Sequence, residues 1–134
     1  MRKGIITMAI ASIATIALLV PASAASPRQE RPDREKHGAC DPSGRWELDL
    51  DREGSRIEVD YEVTSKRADQ RWKVKIKHDG VTIFDGSRVT RLDDDDRPDF
   101  EIDRSVKNNA GTDHFWAVAR NSVTGAVCRG GLSI

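Results

Sequence analysis

Trp46-Glu47-Leu48-Asp49-Leu50-Asp51, Ile57-Glu58-Val59-Asp60-Tyr61-Glu62-Val63 and Trp72-Lys73-Val74-Lys75-Ile76-Lys77 decide the fold of this chain. In each stretch apolar and charged residues alternate, and a period of two sends the two sets to opposite faces of an extended strand. A helix would gather apolar residues every three or four positions, and no window with that spacing is long enough to matter. The three stretches are therefore strands with one face in a core and one in water, and the domain is all-β.

The turn signals extend the pattern in both directions. Gly54 lies in the link from the first strand to the second, and Asp79-Gly80 is a tight hairpin signal between the third strand and a fourth over residues 81–84. Residues 86–92 read as a further edge segment, followed by an acidic loop that ends at Pro98. Phe100 and Ile102 mark a short fifth strand, residues 114–121 a sixth, and residues 127–134 a seventh entered through Thr124-Gly125. About seven short strands at this spacing predict a two-sheet sandwich of roughly one hundred residues.

Upstream, Arg2 and Lys3 precede an apolar run over residues 5–20, then Pro21 and Ala22-Ser23-Ala24. This is the layout of a secretory signal peptide over residues 1–24, so the expected destination is extracellular, with Ala25 as the first mature residue. The run is shorter than a permanent span needs and no cysteine follows it for lipid attachment, so no membrane span is expected after cleavage. The whole chain of 134 residues carries no net charge. Losing residues 1–24 removes two cations and no acid, which leaves 110 residues with a net charge of −2. Bulk charge thus selects no class of partner, and the length suits one domain with one core. Residues 25–39, with mixed charges, two prolines and little to bury, predict a disordered lead-in to a domain over residues 40–134.

Cys40 and Cys128 are the only cysteines and bracket the strands. In an oxidising compartment such a pair predicts a disulfide. No Cys-x-x-Cys spacing or histidine at ligand spacing accompanies them, so neither a zinc site nor a redox pair is expected, and no cofactor is implied.

The run Gly111-Thr112-Asp113-His114-Phe115-Trp116-Ala117-Val118-Ala119-Arg120-Asn121, closed by Gly125, resembles the sixth strand and turn of immunoglobulin-like domains. Trp72 falls where that family places its core tryptophan, on the third strand, and the likeness covers most of residues 46–134. It departs from the family where the usual cross-sheet disulfide would be, because Tyr61 or Val59 and Ala117 stand there. Cys40 and Cys128 instead tie the start of the domain to its last strand. The whole chain also resembles small exported actinobacterial proteins, a likeness that implies no chemistry.

The resemblance implies that the first, second and fifth strands share one sheet and the third, sixth and seventh the other. Outward positions of the first sheet would then be Glu47, Asp49, Asp51, Glu58, Asp60, Glu62, Glu101 and Asp103, all acidic. Those of the second include Arg71, Lys73, Lys75, Lys77, Arg120 and Arg129, with Trp116 among them if Phe115, Ala117 and Ala119 point inward. Like charges on neighbouring strands repel, so stability alone does not favour this sorting. The expected function is a secreted, non-enzymatic binding or structural module. Its candidate site is Arg71, Lys73, Lys75, Lys77, Trp116 and Arg120, and its partner an anionic cell-envelope polymer or another protein, a second copy included.

Catalytic signals are thin. His37, His78 and His114 are expected in solvent, and no nucleophile motif accompanies them. The alternative function, a small extracellular hydrolase or inhibitor acting on envelope polymers, rests on the adjacent Asp113 and His114 alone. The one metal candidate is the loop Asp93 to Asp96 with Asp99, but consecutive aspartates converge poorly on one ion, and a solvated loop is expected.

Overall fold

A computed structural model describes residues 33–134. The expected signal peptide, residues 1–24, and the first part of the expected lead-in, residues 25–32, lie outside the described residues. The chain forms β1 (Arg34–Ala39), β2 (Arg45–Glu53), β3 (Arg56–Thr64), β4 (Arg71–His78), β5 (Val81–Val89), β6 (Arg91–Leu92), β7 (Pro98–Lys107), β8 (His114–Asn121) and β9 (Val127–Ser133). Two antiparallel sheets result, one ordered β1-β2-β3-β7-β6 and the other β5-β4-β8-β9. No helix occurs among the described residues.

The alternation translates directly into burial. Leu48, Leu50, Ile57, Val59, Tyr61 and Val63 from one sheet meet Trp72, Val74, Ile76 and Ala117 from the other, all withdrawn from water. Trp72 packs against Phe100 across the interior, with ring centres 6.2 Å apart. Two sheets of this kind bury both inner faces and leave the outer faces wet. The turn at Asp79-Gly80 holds both residues at positive φ, 48° and 81°, the twist a two-residue hairpin needs.

Three expectations require correction. Residues 34–39, expected as part of a disordered lead-in, form β1, paired with β2 from Arg34↔Leu50 to Ala39↔Arg45. The strand sits at the sheet edge with almost every side chain exposed, so its order comes from the backbone ladder and leaves no apolar alternation to read. The segment expected over residues 86–92 is instead the second half of β5, while Arg91 and Leu92 cross to the other sheet as β6. The strand around Phe100 and Ile102 is ten residues long, not short.

One edge of the sandwich is locked where the first and last of the described strands come together. The disulfide Cys40–Cys128 joins residues 88 apart in sequence, and beside it Asp41 and Val127 exchange backbone hydrogen bonds of 2.9 and 2.8 Å. The buried Tyr61 hydroxyl donates to the Cys128 carbonyl at 3.0 Å. Trp46 fills the remaining gap, lying against Gly38 of β1 and Gly130 of β9. A Cβ added at Gly130 would fall 2.0 Å from the Trp46 ring, so only glycine fits there. Towards the opposite edge Phe84 is flanked by the guanidinium groups of Arg88 and Arg104, 4.7 and 4.6 Å from its ring centre, one from each sheet.

Candidate functional site

Because β4 alternates, Arg71, Lys73, Lys75 and Lys77 all leave the sheet on the outer side. The register with β8 sets Lys73 opposite Arg120, Lys75 opposite Val118 and Lys77 opposite Trp116. Between these two rows runs a trough of about 390 Å³, lined by Lys73, Lys75, Lys77, Trp116, Val118 and Arg120, with Asp85 of β5 on its rim. Successive lysines on one face of a strand stand about 6.7 Å apart. Val118 forms an apolar floor at 8 % exposure, and Trp116, at 41 %, offers an open indole beside Gly131. Lys75 pairs with Asp85 at 3.3 Å, both well exposed, a contact worth little in water and readily exchanged.

The trough brings together five of the six candidate residues. Arg71 belongs to the same face, but it lies at the end of β4 opposite Val89 and outside the trough. Val118 and Asp85 were not among the candidates. The outward parity of Val118 was visible in the alternation of β8, whereas Asp85 reaches Lys75 only through a hairpin register that sequence does not specify.

The opposite sheet is acidic in ordered rows. Glu47, Glu62 and Glu101 stand directly across from one another, as do Asp49, Asp60 and Asp103, with Glu35 of β1 extending the second row. Among the described residues, no ion pair engages any of these carboxylates except Glu35, which contacts His37 at 3.7 Å. Burial, and then the charges of Glu47 and Glu35, push Asp49 up to about 7. Burial, and then a hydrogen bond shared with Asp103 and its charge, push Asp60 up to about 7 as well. Glu101 is raised by the same causes, burial and then Asp103.

His37 and His114 are exposed as expected, and His78 departs from expectation. His78 is buried at 7 % exposure, stacked on Phe115 at 4.5 Å, and its Nε2 meets the carboxylate of Asp113, itself buried. The pairing of Asp113 with its neighbour His114 therefore does not form, because Asp113, just before β8, turns inward while His114 is exposed. His114 instead sits outside, with Nδ1 2.7 Å from the Ser133 hydroxyl and its backbone N–H donating to Asp79 at 2.8 Å. Asn109 completes the inner cluster by donating its backbone N–H to Asp113 and its side-chain amide to Asp79. These contacts, with the backbone exchange between Asp113 and Ile134, pin the β7–β8 connection to the C-terminus. No hydroxyl or thiol reaches His78 among the described residues, and no carboxylate orients the second nitrogen of His114.

In the acidic loop, Asp93 turns inward. Its Oδ1 accepts the backbone N–H groups of Asp95 and Arg97 at 2.8 and 2.7 Å, and its Oδ2 takes the Arg97 guanidinium at 2.8 to 2.9 Å. The backbone N–H of Arg97, first among these, holds the carboxyl below its ordinary value. Asp94, Asp95 and Asp96 project into solvent. No protein-family model, curated protein or solved structure matches the chain.

Proposed function

We propose that the protein is an exported, non-enzymatic binding module that holds an extended anionic polymer in the trough of its basic sheet. The carrying observation is the register of β4 on β8, which sets three lysines in a line facing Trp116 and Arg120 across an apolar floor. Cations at regular intervals suit a polymer with repeating negative charge, because each anion engaged releases counterions. The half-open indole supplies a flat surface on which a sugar or other ring can stack between charges. The strand order, with β2, β3 and β7 in one sheet and β5, β4, β8 and β9 in the other, supports kinship with immunoglobulin-like domains. The disulfide supports an oxidising location outside the cytoplasm.

The test is binding of a poly(glycerol phosphate), a polyuronate and a single-stranded oligonucleotide at low ionic strength. Affinity should be weak and fall with salt, with about one counterion released per phosphate contact. Changing Lys73, Lys75 and Lys77 together to Glu should abolish it. Trp116→Ala should weaken it with an unchanged salt slope. Absence of binding to all three polymers, or binding that survives the triple change, refutes the reading.

A further inference from the structure

The acidic sheet has no role in polymer binding, yet its charges are too ordered to follow from stability alone. We propose that the acidic face formed by β1, β2, β3 and β7 docks on the basic face of β4, β8 and β9 of a second copy, so that the protein associates head to tail. Two observations carry this, and neither depends on the trough holding a polymer.

Charge complementarity comes first. One outer face presents Glu47, Asp49, Asp60, Glu62, Glu101 and Asp103 in facing rows, and the other presents Lys73, Lys75, Lys77, Arg120 and Arg129. The faces lie on opposite sides of one sandwich, so a copy cannot satisfy its own carboxylates with its own lysines.

The second observation is geometric. Both faces are antiparallel sheets, so both set their charges on one lattice, roughly 4.8 Å between strands and 6.7 Å along them. The lysine row along β4 therefore keeps step with carboxylates that alternate along one facing strand, as Glu58, Asp60 and Glu62 do along β3. Burial pushes Asp49 and Asp60 up in the free protein, and carboxylates directly opposed across strands add a second push through their mutual repulsion. Apposed lysines relieve it.

The contact joins two different patches, so it is heterologous and need not close on itself. Repetition gives open strings. Three strands by about six residues cover about 290 Å² on each partner, or roughly 600 Å² in all, below the range of stable interfaces. Association should therefore be weak, reversible and sensitive to salt.

Sedimentation of the exported protein across concentration and salt reads it directly. At about 20 mM salt the average mass should rise with concentration, and at about 0.5 M, where the screening length falls to a few ångströms, it should return to that of the monomer. A basic-face variant (Lys73, Lys75 and Lys77 to Glu) and an acidic-face variant (Asp49, Asp60 and Asp103 to Lys) should each stay monomeric. Mixed one to one, they should associate again, because each supplies the face the other lacks. The acidic-face variant should still bind the poly(glycerol phosphate), which separates this contact from the polymer site. A wild type that stays monomeric at low salt and high concentration overturns the proposal. So does a mixture that remains monomeric when thermal melts show both variants folded. Should either variant fail to fold, the wild type decides alone: salt-indifferent association refutes the contact, and dissociation by salt supports it.

Discussion

Acidification should stabilise this protein across a range in which most proteins change little, and the rows of carboxylates on β2, β3 and β7 set the size of the effect. Asp49 and Asp60 are both pushed up to about 7 from an ordinary value near 3.8, by burial and by neighbouring acids. A raised folded-state value means that the folded protein holds these protons more tightly than the unfolded chain. Stability is then full below about pH 4, is lost as pH rises towards 7, and levels off above about pH 8. A shift of about three units is worth roughly 4 kcal/mol per group in isolation. Both groups are only partly buried, solvent screens them, and their mutual repulsion is counted in both shifts, so about 1 to 2 kcal/mol for the pair is the better figure. For a domain of about one hundred residues that is roughly 5 to 10 °C in Tm between pH 5 and pH 8.

The assay is thermal unfolding followed by circular dichroism at several pH values, at low salt and at about 0.5 M. The groups facing the pair are Glu35, Glu47, Glu62, Glu101 and Asp103, with His37 opposite Glu47, so His37→Gln serves as the control. Asp79 and Asp93 have lowered values, because backbone N–H groups of His114 and Arg97 hold their charged forms. Their contribution is present above about pH 4 and lost only below it, outside the window of interest. Changing Asp49 and Asp60 together to Asn should raise Tm at pH 8 and flatten the profile. A Tm that is constant or rises from pH 5 to pH 8 refutes the reasoning, as does a double variant that keeps the wild-type slope.

Reduction of Cys40–Cys128 opens a loop of 88 residues, and chain entropy alone puts the loss near 4.5 kcal/mol, or roughly 20 °C in Tm. A drop of less than about 5 °C on full reduction, verified by thiol titration, shows that the Asp41–Val127 bridge and Trp46 close the edge unaided. Gly130→Ala forces a methyl group to within 2.0 Å of the Trp46 ring and should lower stability by about 2 to 3 kcal/mol, measured by urea unfolding; a neutral result means the edge is loosely packed. Millimolar calcium should leave Tm nearly unchanged, since Asp93 is already engaged by Arg97; a rise of several degrees that disappears when Asp94 and Asp96 are changed to Asn refutes this.

Strand identity was legible because side chains carried it, whereas the division into two sheets came from the resemblance to immunoglobulin-like domains. Leu48, Val59 and Val74 alternate with charges, and the sign of those charges changes from one sheet to the other. β1 was not legible, since an edge strand with both faces wet is held by backbone hydrogen bonds that any sequence can make. His78 was misplaced although the signal existed. It continues the inward series Trp72, Val74, Ile76, and parity alone puts it in the interior. Its partner Asp113 was beyond reach, because that contact depends on how the β7–β8 connection folds back over the end of β4. Of the trough, the lysine row followed from β4 itself, whereas the match of Lys77 to Trp116 required the register of two strands distant in sequence.

The Trp46 ring lies against glycines of the first and last strands, positions 38 and 130. Heredity treats three such positions as one. A bulkier residue at 130 survives only in a lineage that has already shrunk residue 46, and a lineage that gives up the tryptophan frees both glycines to drift. Any descendant chain that keeps tryptophan at 46 should keep glycine at 130, and the order in which the substitutions accumulated should be readable from that constraint.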